Sequence, residues 1–511
     1  MRVPFGNLPD SSALFIDYSS GWPGIPRFYP RSYSIESIVS FARERPRLDG
    51  AHRGRLCAAL SNQQKRWGSH VDASLEKLAN GAAVIITGQQ CGLFSGPFYS
   101  ILKAITAIKL AKEVEKCGVP AVPVFWLASE DHDYEEIRWA SIIDRDSGLQ
   151  RLQVELANGD ATPAGWLQFR DDVSGAVSQC LSSLPDSEFN RDVRELLESS
   201  YQPGVSPSDA FARMFAALFA KTGLIIVDPL DSELKSLAAP LLAEAVKRNG
   251  EIRSAVLARS KELSNAGYHE QVKVDENFTG LFAYRGRSRK ILRPNELSMD
   301  LPLSPNVLLR PAVQDSIFPT AAYVGGPAEV AYFAQAAAAY ETLGMPVPPV
   351  FPRISATVME ARVSRPMKKY GMEFADALRG REYLKLKAVA SVRGVELFDQ
   401  MRDSILAQLD AVAPALSAVD PTLLGALETS RQKMVHQVET LRTRFVNAEA
   451  KRNETLDRHL DAISNSLFPE KRLQERVINV TSFLMRYGLG FIGQLEGRLS
   501  LDSREHQVVE I

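Results

Sequence analysis

The sequence predicts an α/β protein in which a parallel β-sheet forms the core and a long helical hairpin lies near the C terminus. Two observations predict this architecture. The first is a strand, helix, strand unit within residues 82–137, and the second is a heptad pattern of apolar residues within 421–467. The chain has 511 residues, which is too many for one hydrophobic core, so we expect at least one further unit beside the sheet domain.

The strand, helix, strand unit is predicted from its apolar residues. Residues 83–87 form a short β-branched run that is typical of a buried strand. Three glycines and Pro97 then mark a loop, and a helix is predicted to begin near Ser95, with Lys103 outside its apolar stripe. Residues 122–128 form the next strand. Because one helix joins the two strands, a right-handed parallel connection is expected.

Polar residues directly follow both predicted strands. Gln89 and Gln90 follow the first strand, whereas Glu130, Asp131 and His132 follow the second. Because ligands bind beyond the carboxyl ends of strands in open parallel sheets, both groups are expected to face one crevice. The alternative is that the glycines only make a tight turn and the glutamines are solvated.

The glycine-rich loop GQQCGLFSG matches no nucleotide-binding fingerprint. It satisfies neither GxxxxGK[ST] nor GxGxxG. The N terminus of the predicted helix would still offer free backbone N–H groups and a positive dipole end, which suit a carboxylate or a phosphate. A polar small molecule is therefore the expected ligand.

Composition and charge argue against several classes of partner. The 60 basic and 61 acidic residues leave a formal net charge of −1, which predicts neither nucleic acid nor a membrane surface as a partner. No apolar run predicts a membrane span, and the N-terminal residues do not resemble a signal peptide. The four cysteines show no metal-ligand spacing. Cys91 is expected to be a small, half-buried side chain that fills a packing gap. These features predict a cytoplasmic protein.

Elements on both sides of the unit extend the predicted domain. Helices at 34–45 and 54–78 are expected to cover the sheet, and a polar stretch at about 138–205 is interpreted as an insertion. The core resumes with a helix that Ser206 caps and a strand at 224–227.

A second insertion is predicted at about 266–305. It is expected to contain short strands at 271–274, 281–284 and 290–292. Its basic turn, RGRSRK, is interpreted as a solvated hairpin tip, and the alternative is that it grips an acidic substrate.

A third junction between a strand and a helix is predicted at AAYVGGPAEVAYF. Glu329 falls in the first helical turn, where the helix dipole alone would favour an acid. Arg310 lies upstream of this junction, and Arg353 follows another apolar strand. Arginines at strand ends suit the bidentate capture of carboxylates, so these three residues are candidates for substrate binding.

The C-terminal part of the chain changes character at residue 394. One helix is expected at 397–412, a turn at 414–420 and a longer helix at 421–467. In the longer helix a heptad seam is formed by Met434, Val438, Leu441, Phe445 and Ala448. The hairpin could pack only on its own core, but its length predicts a dimer arm. After Pro469, LQERVINVTSFLMRYG is predicted to form a terminal helix.

Six stretches of the sequence resemble one family. They read GQQCGLFSGPFYSILKAITAIKLA, PVFWLASEDHDYEEI, GLIIVDPLDSEL, LLRPAVQDSIFPTAAYVGGPAEVAYF, VFPRISATVME and LQERVINVTSFLMRYG. Together they closely resemble the BshC family, the cysteine-adding enzymes of bacillithiol biosynthesis. The resemblance covers almost the whole chain.

The resemblance implies a fold, a domain organisation and a reaction. It implies a Rossmann-like core with connecting-peptide insertions in residues 1–393, an antiparallel coiled coil for dimerisation in 394–468, and a helical segment packed on the core in 469–511. The implied reaction joins cysteine to glucosaminyl malate and gives bacillithiol, so the expected partners are these two small molecules and a second copy of the chain.

The implied amide formation requires an activated cysteine carboxylate. Activation normally proceeds through an acyl adenylate or an acyl phosphate, so ATP or another activating nucleotide is a candidate cofactor. The HIGH and KMSKS signatures of class I adenylating enzymes are absent, and PMKKY at 366–370 is only weakly similar to KMSKS. The cofactor is therefore unknown from the sequence.

The candidate site residues follow from these considerations. Neighbouring carboxylates favour the imidazolium of His132, although this side chain could also be satisfied within its own loop. The candidate catalytic residues are Asp131, His132 and Lys103. The candidate substrate-binding residues are Gln89, Gln90, Tyr99, Glu130, Arg310, Glu329 and Arg353. Through the resemblance, Glu475, Asn479 and Tyr487 are candidates for a nucleotide site beside the coiled coil. No metal site is predicted.

Two other functions remain open from the sequence. A metal-dependent hydrolase or transferase would use the EDHD cluster, but consecutive residues on an extended stretch point in alternating directions and rarely close one shell around an ion. A non-enzymatic coiled-coil scaffold would leave the three glycine-rich strand ends unexplained.

Overall fold

The computed structural model describes residues 1–9, 11–21, 24–45, 48–157, 161–390, 396–452, 454–501 and 504–511. The chain forms two compact units. The first contains Met1–Asp144, Gln150–Thr357 and Glu475–Val509, and the second contains Arg145–Leu149, Val358–Gln474 and Glu510–Ile511. From the sequence the coiled coil was expected to begin at residue 394, which lies outside the described residues.

The first unit is built on a five-stranded parallel sheet, called the central sheet below. In spatial order its strands are Val350–Pro352, Thr320–Gly325, Ala83–Gln89, Ala121–Leu127 and Ile225–Val227. Numbered along the chain, this order is 5-4-1-2-3, which read from the opposite edge is the order of the first five strands of the doubly wound Rossmann sheet, 3-2-1-4-5. The predicted Rossmann-like parallel core is confirmed, and its strand order reverses beside Ala83–Gln89.

Helices cover both faces of the central sheet. On one face Ile38 and Val39 pack with Leu110, Val114 and the strand residue Ile85. On the other face the ring of Tyr323, whose register partner is Ile86, lies 4.7 Å from that of Phe333, which belongs to the helix Pro327–Thr342. Burial on both faces accounts for the continuous apolar runs in these strands.

Outside the central sheet, the structure has the following elements. The helices up to residue 342 are Ala13–Ser20, Ile35–Glu44, Gly50–Trp67, Asp72–Ala79, Tyr99–Lys116, Tyr134–Ile137, Asp172–Ser183, Asn190–Ser200, Pro207–Leu218, Ser232–Lys247, Asn249–Asn265, Arg310–Ile317 and Pro327–Thr342. The later helices are Ala361–Lys369, Phe374–Ala377, Arg381–Ala390, Glu396–Val419, Leu423–Arg452, Glu454–Leu467, Gln474–Val477, Thr481–Tyr487 and Phe491–Arg498. The strands are Arg2–Val3, Trp139–Ile143, Leu149–Gln153, Leu156–Ala157, Gln168–Phe169, Leu281–Arg285, Ser288–Ile291, Leu303–Pro305, Ala356–Met359 and His506–Glu510. Within the described part of the chain, no helix combines the length and hydropathy needed to cross a bilayer.

Two elements of the first unit differ from the prediction for clear reasons. No strand forms at 271–274, because the backbone N–H and C=O of Val272 bond to the Gln335 side-chain amide at 2.9 and 2.8 Å. The helix predicted over 54–78 is two helices, because Gly68 adopts a left-handed conformation (φ +69°) that ends the first.

The predicted terminal helix is also interrupted. Between Gln474–Val477 and Thr481–Tyr487 the chain is not helical, and the Asn479 backbone N–H donates to the Ser141 carbonyl at 2.7 Å. This long-range bond replaces a helical one.

The second unit contains the predicted coiled-coil hairpin. Its helices are Glu396–Val419 and Leu423–Arg452, and the ring of Phe398 lies 5.3 Å from that of Phe445. The turn predicted at 414–420 is wrong, because the first helix continues through Pro414. Within the range predicted as one helix, 421–467, the structure describes the helices Leu423–Arg452 and Glu454–Leu467, and residue 453 between them lies outside the described residues.

Candidate active site

The glycine-rich loop after the first central strand is a tight, buried turn. The helix after it begins at Tyr99, later than predicted. Gly96 has φ +69°, and a Cβ on Gly92 would lie 2.9 Å from the Cα of Gly96. The loop therefore requires glycine at both positions.

Several backbone N–H groups of this loop already have protein partners. Ser95 N–H donates to the Tyr201 hydroxyl, and Phe98 N–H donates to the Ile478 carbonyl, both at 2.9 Å. The Asn479 side-chain amide donates to the Gly96 carbonyl at 2.7 Å. The N–H groups of Ser95 and Phe98 are therefore not available to an anion at this helix terminus.

Lys103 connects the end of the strand Ala83–Gln89 with the helix that follows the strand Thr320–Gly325. Its buried ammonium lies 2.5 Å from Glu329 and donates to the Gly88 carbonyl at 2.7 Å and to the Gln89 side chain at 2.8 Å. Burial lowers the pKa of Lys103, although Glu329 opposes the shift. With these three partners Lys103 positions Gln89, and it is not on the solvent face that its place in the helical pattern suggested.

Glu329 and Arg310 join the same network. Burial would raise the pKa of Glu329, but Lys103 and the Tyr323 hydroxyl hold it below its usual value. Tyr323 donates to Glu329 at 2.6 Å and accepts from Arg310 at 3.2 Å. The Tyr99 hydroxyl also belongs to this network, because it accepts a hydrogen bond from the Gln89 amide at 3.2 Å. The candidates Gln89, Tyr99, Lys103, Arg310 and Glu329 are thus brought together where the strand order reverses.

Arg353 forms an ion pair inside the protein instead of facing a substrate. Its guanidinium makes a bidentate pair with Glu475, at 2.6 and 3.0 Å, and both side chains are buried. Glu475 also accepts from the Ser355 hydroxyl and the Ala356 N–H. Burial would raise the pKa of Glu475, but Arg353 holds it below its usual value. Arg353 therefore has its carboxylate partner inside the protein and is not free to capture one from a substrate.

The candidate nucleotide-binding residues are engaged in the same way. Glu475 pairs with Arg353, Asn479 caps the glycine-rich loop, and the Tyr487 ring stacks 5.8 Å from that of Phe491. A nucleotide that used Glu475 and Asn479 would have to displace these bonds.

Gln90 and Asp131 meet at the ends of neighbouring strands. The Gln90 amide donates to one carboxylate oxygen of Asp131 at 2.8 Å, and the His132 backbone N–H donates to the other at 2.8 Å. Both side chains are only partly buried. The GQQ and EDHD motifs therefore meet at one edge of the central sheet, as the parallel connection predicts, and the partly exposed surface around Gln90 and Asp131 is called the crevice below.

His132 lies against a buried arginine. Arg289 Nη1 is 3.3 Å from His132 Nδ1, and the ring of Phe282 is 5.8 Å away. Because a guanidinium can only donate, Nδ1 accepts and the neutral ring carries its proton on Nε2. A hydrogen bond from Arg289 thus uses the neutral ring, whereas the expected imidazolium would leave Nδ1 without a free lone pair for it.

Arg289 also corrects the interpretation of RGRSRK as a solvated tip. Its guanidinium is buried and donates to the Ser304 hydroxyl at 3.0 Å and the Pro305 carbonyl at 2.7 Å. In the hairpin Leu281–Arg285 and Ser288–Ile291, alternation turns Arg289 inward.

Glu130 is held by residues that the sequence did not single out. It accepts from the Tyr284 hydroxyl at 2.6 Å and pairs with Lys235. Burial would raise the pKa of Glu130, but Lys235 and Tyr284 hold it below its usual value. No local motif identifies Lys235 or Tyr284, since they reach the site from a distant helix and from the hairpin.

Two further observations limit the chemistry of this crevice. Burial raises the pKa of the Cys91 thiol well above its usual value, so the thiol is a poor nucleophile, in line with its expected packing role. In the described part of the chain, no group of three or more His, Cys, Asp and Glu side chains is arranged to hold a metal ion.

The partly exposed groups define what this crevice can do. The Asp131 carboxylate is oriented by Gln90 and can accept a proton from a bound amine. His132 can donate a hydrogen bond from Nε2, and Arg289 supplies positive charge beside it. This arrangement suits attack of an amine on a carbonyl carbon.

Comparison with known proteins identifies the family. Two family models match, the "Bacillithiol biosynthesis BshC, N-terminal Rossmann-like domain" over residues 1–301 and 296–354 and the "Bacillithiol biosynthesis BshC, C-terminal coiled-coil domain" over 356–511.

Full-length relatives agree with these models. The chain is 36% identical to "Putative cysteine ligase BshC" of Koribacter versatilis, covering 100% of this chain and 99% of the relative. It is 33% identical to the protein of the same name from Salinibacter ruber, covering 99% of this chain and 97% of that relative. It is 32% identical to the one from Solibacter usitatus, covering 99% of this chain and 98% of that relative. The chain therefore belongs to the BshC family.

Proposed function

We propose that this protein is a ligase that joins the cysteine carboxyl group to the amine of glucosaminyl malate and so forms bacillithiol. The observation that carries the proposal is the hydrogen bond between Gln90 and Asp131 at the ends of neighbouring parallel strands. It orients a carboxylate in a crevice that also contains the His132 ring. Membership of the BshC family supports cysteine as a substrate and bacillithiol biosynthesis as the pathway, and glucosaminyl malate is the second substrate that the family resemblance implies.

In the proposed reaction, the amine attacks the carbonyl carbon of activated cysteine. A C–N bond forms, the activating group leaves, and Asp131 takes the proton that the amine loses. The Nε2–H of His132 donates to the carbonyl oxygen, on which negative charge develops during attack. Glu130, Lys235 and Tyr284 keep the segment with Asp131 in position.

Activation of the carboxylate is a separate requirement. ATP or another nucleotide would supply an acyl adenylate or acyl phosphate. In the glycine-rich loop, the N–H groups of Ser95 and Phe98 have protein partners and cannot hold a phosphate group, so the loop gives a nucleotide no assigned role. The net charge of −1 gives no electrostatic attraction for nucleic acid, so the partners are small molecules and a second copy of the chain. The inferred compartment is the cytoplasm.

Deletion of the gene in its host tests the function. The expected thiol profile shows accumulated glucosaminyl malate and no bacillithiol, because the amide-forming step is missing. Liquid chromatography of derivatised thiols, with mass spectrometry for the amine precursor, measures both. Normal bacillithiol in the deletion strain would contradict the proposal, and restoration by a plasmid copy is the control.

We further propose that the coiled coil carries a homodimer contact. Met434 and Leu441 of the helix Leu423–Arg452 are 45% and 52% exposed, although their heptad positions are apolar. Leu397 and Met401 on the other hairpin helix are also exposed. An apolar row of this kind is covered in a coiled-coil dimer.

The dimer contact has its own test. Met434→Asp together with Leu441→Asp is expected to give monomers, because charges would be buried without partners. Light scattering coupled to gel filtration measures the mass. Gln437→Asp, on an exposed polar position of the same helix, should leave the dimer intact. A dimer that persists in the double variant shows that the contact lies elsewhere. Phe445 is unsuitable as a target because it packs on Phe398 within the hairpin.

A further inference from the structure

A second cleft lies beside the candidate active site in the first unit. It has a volume of about 390 Å³ and is lined by residues 165–168 and 204–206 together with Asp209, Arg213 and Arg287. This volume is at the lower end of the range for small-molecule sites. The cleft is therefore large enough for a compact metabolite.

Two arginines on different elements line this cleft. Arg213 belongs to the helix Pro207–Leu218, and no hydrogen-bond or ion-pair partner for its half-buried guanidinium is found among the described residues. Arg287 lies in the turn between Leu281–Arg285 and Ser288–Ile291 and donates to the Trp166 carbonyl. Both guanidiniums retain N–H donors for a ligand.

The acid in the cleft does not cancel this positive charge. Asp209 lies 3.0 Å from Arg66 and accepts from the Trp67 indole at 2.7 Å and from the Ser206 hydroxyl at 3.0 Å. Arg66 also lies 3.6 Å from Asp228 and is shared by the two carboxylates, so Arg66, Arg213 and Arg287 together outnumber the two acids around the cleft by one positive charge.

The cleft is connected to the candidate active site through one short segment. The Ala164 N–H donates to the Asp131 carbonyl at 2.7 Å, and the Gly165 N–H donates to the Ser129 carbonyl at 2.9 Å. The Trp166 ring packs 4.8 Å from that of Tyr284, which bonds to Glu130. A ligand in the cleft would therefore lie next to the segment that carries Asp131.

We propose that this cleft is a binding site for a dicarboxylate, with Arg213 and Arg287 each pairing with one carboxylate. Guanidinium groups bind carboxylates through paired N–H donors. Two such groups on separate elements suit a ligand with two separate anionic groups better than one compact anion. The Ser206 hydroxyl adds a neutral polar contact at the cleft wall.

This site also gives the proposed reaction a specificity determinant, an extension that rests on the proposed function. The amine substrate of that reaction carries the two carboxylates of its malate moiety. Held by Arg213 and Arg287, they would anchor the substrate while its amine approaches Asp131.

Calorimetric titration of the full-length protein with succinate tests the site without any need for the reaction. Succinate is expected to bind saturably to the wild type and at least tenfold more weakly to Arg213→Gln and to Arg287→Gln, because each removes one charged pair. Arg285→Gln is the matched control, since Arg285 lies in the same hairpin but pairs with Glu296 at 2.8 Å outside the cleft. It should bind succinate like the wild type.

The outcomes separate the site from the reaction. Absence of saturable succinate binding, or equal affinity in all variants, would overturn the site. Binding of acetate or inorganic phosphate as tight as that of succinate would overturn its assignment to a dicarboxylate. In an assay of cysteine addition, Arg213→Gln should raise the KM for the amine substrate about tenfold with little change in kcat. An unchanged KM beside weakened succinate binding would overturn only the extension to the substrate.

Discussion

Asp131→Asn is expected to reduce the rate of cysteine addition by about a hundredfold or more, the usual effect of losing a positioned proton acceptor. The fold should be retained, because asparagine keeps an oxygen that can accept the His132 backbone N–H, which bonds to Asp131 at 2.8 Å. Steady-state rates of bacillithiol formation, with melting temperatures measured in parallel, check this result.

Two comparisons make the Asp131 prediction specific. Asp133→Asn is the matched control, since the exposed Asp133 carboxylate caps the Glu136 N–H at 3.3 Å and lies outside the hydrogen bonds of Asp131 with Gln90. It should change the rate only slightly.

Gln90→Ala should slow the reaction as well, because the Gln90 amide holds the Asp131 carboxylate at 2.8 Å. The double variant should lose less than the product of the two single effects, since the two residues act as one unit. Full activity in Asp131→Asn, or equal losses in Asp131→Asn and Asp133→Asn, would refute the proton-acceptor role.

Glu475→Ala is expected to destabilise the first unit by about 3–5 kcal/mol, the usual cost of leaving a buried charge without its partner. Arg353 and Glu475 have side chains only 3% and 1% exposed, so solvent cannot replace the lost carboxylate. Denaturant unfolding of the full-length protein measures the difference. Glu251→Ala, which breaks the solvent-exposed pair with Arg248, should leave the unfolding midpoint nearly unchanged.

The stabilisation by Glu475 should depend on pH with a definite sign. Its pKa is held below the ordinary value in the folded state, mainly by Arg353 acting against burial. The stabilisation is therefore complete above the unfolded-state pKa of about 4.3 and is lost as the pH falls through the folded-state pKa. The difference between wild type and Glu475→Ala should shrink over that acidic range. A small difference at neutral pH would contradict the account of this ion pair.

The central strands and the meeting of Gln90 with Asp131 were predictable from the sequence. Apolar runs identify the strands, and the ends of neighbouring parallel strands must lie at one edge of a sheet. A single crossover helix therefore brings the two polar motifs together without any knowledge of the rest of the chain.

The partners of several charged residues were not predictable, because they depend on long-range contacts. Arg353 pairs with Glu475, which lies 122 positions away in the sequence. Lys103 falls on the polar side of the helical pattern but is buried, since it satisfies Glu329 and the end of the first central strand. Charge runs are also ambiguous: in RGRSRK, Arg289 turns inward to His132, whereas Arg285 and Arg287 remain exposed.

Complementation tests the central claim that this chain adds cysteine at the crevice of Gln90 and Asp131. The recipient is a bacillithiol-producing bacterium that lacks its own cysteine-adding enzyme and accumulates glucosaminyl malate, and equal protein levels are verified by immunoblot. The wild-type chain and Asp133→Asn are predicted to restore bacillithiol, whereas Asp131→Asn should leave the precursor unconverted. Failure of the expressed wild type to restore bacillithiol, or full restoration by Asp131→Asn, would contradict the claim.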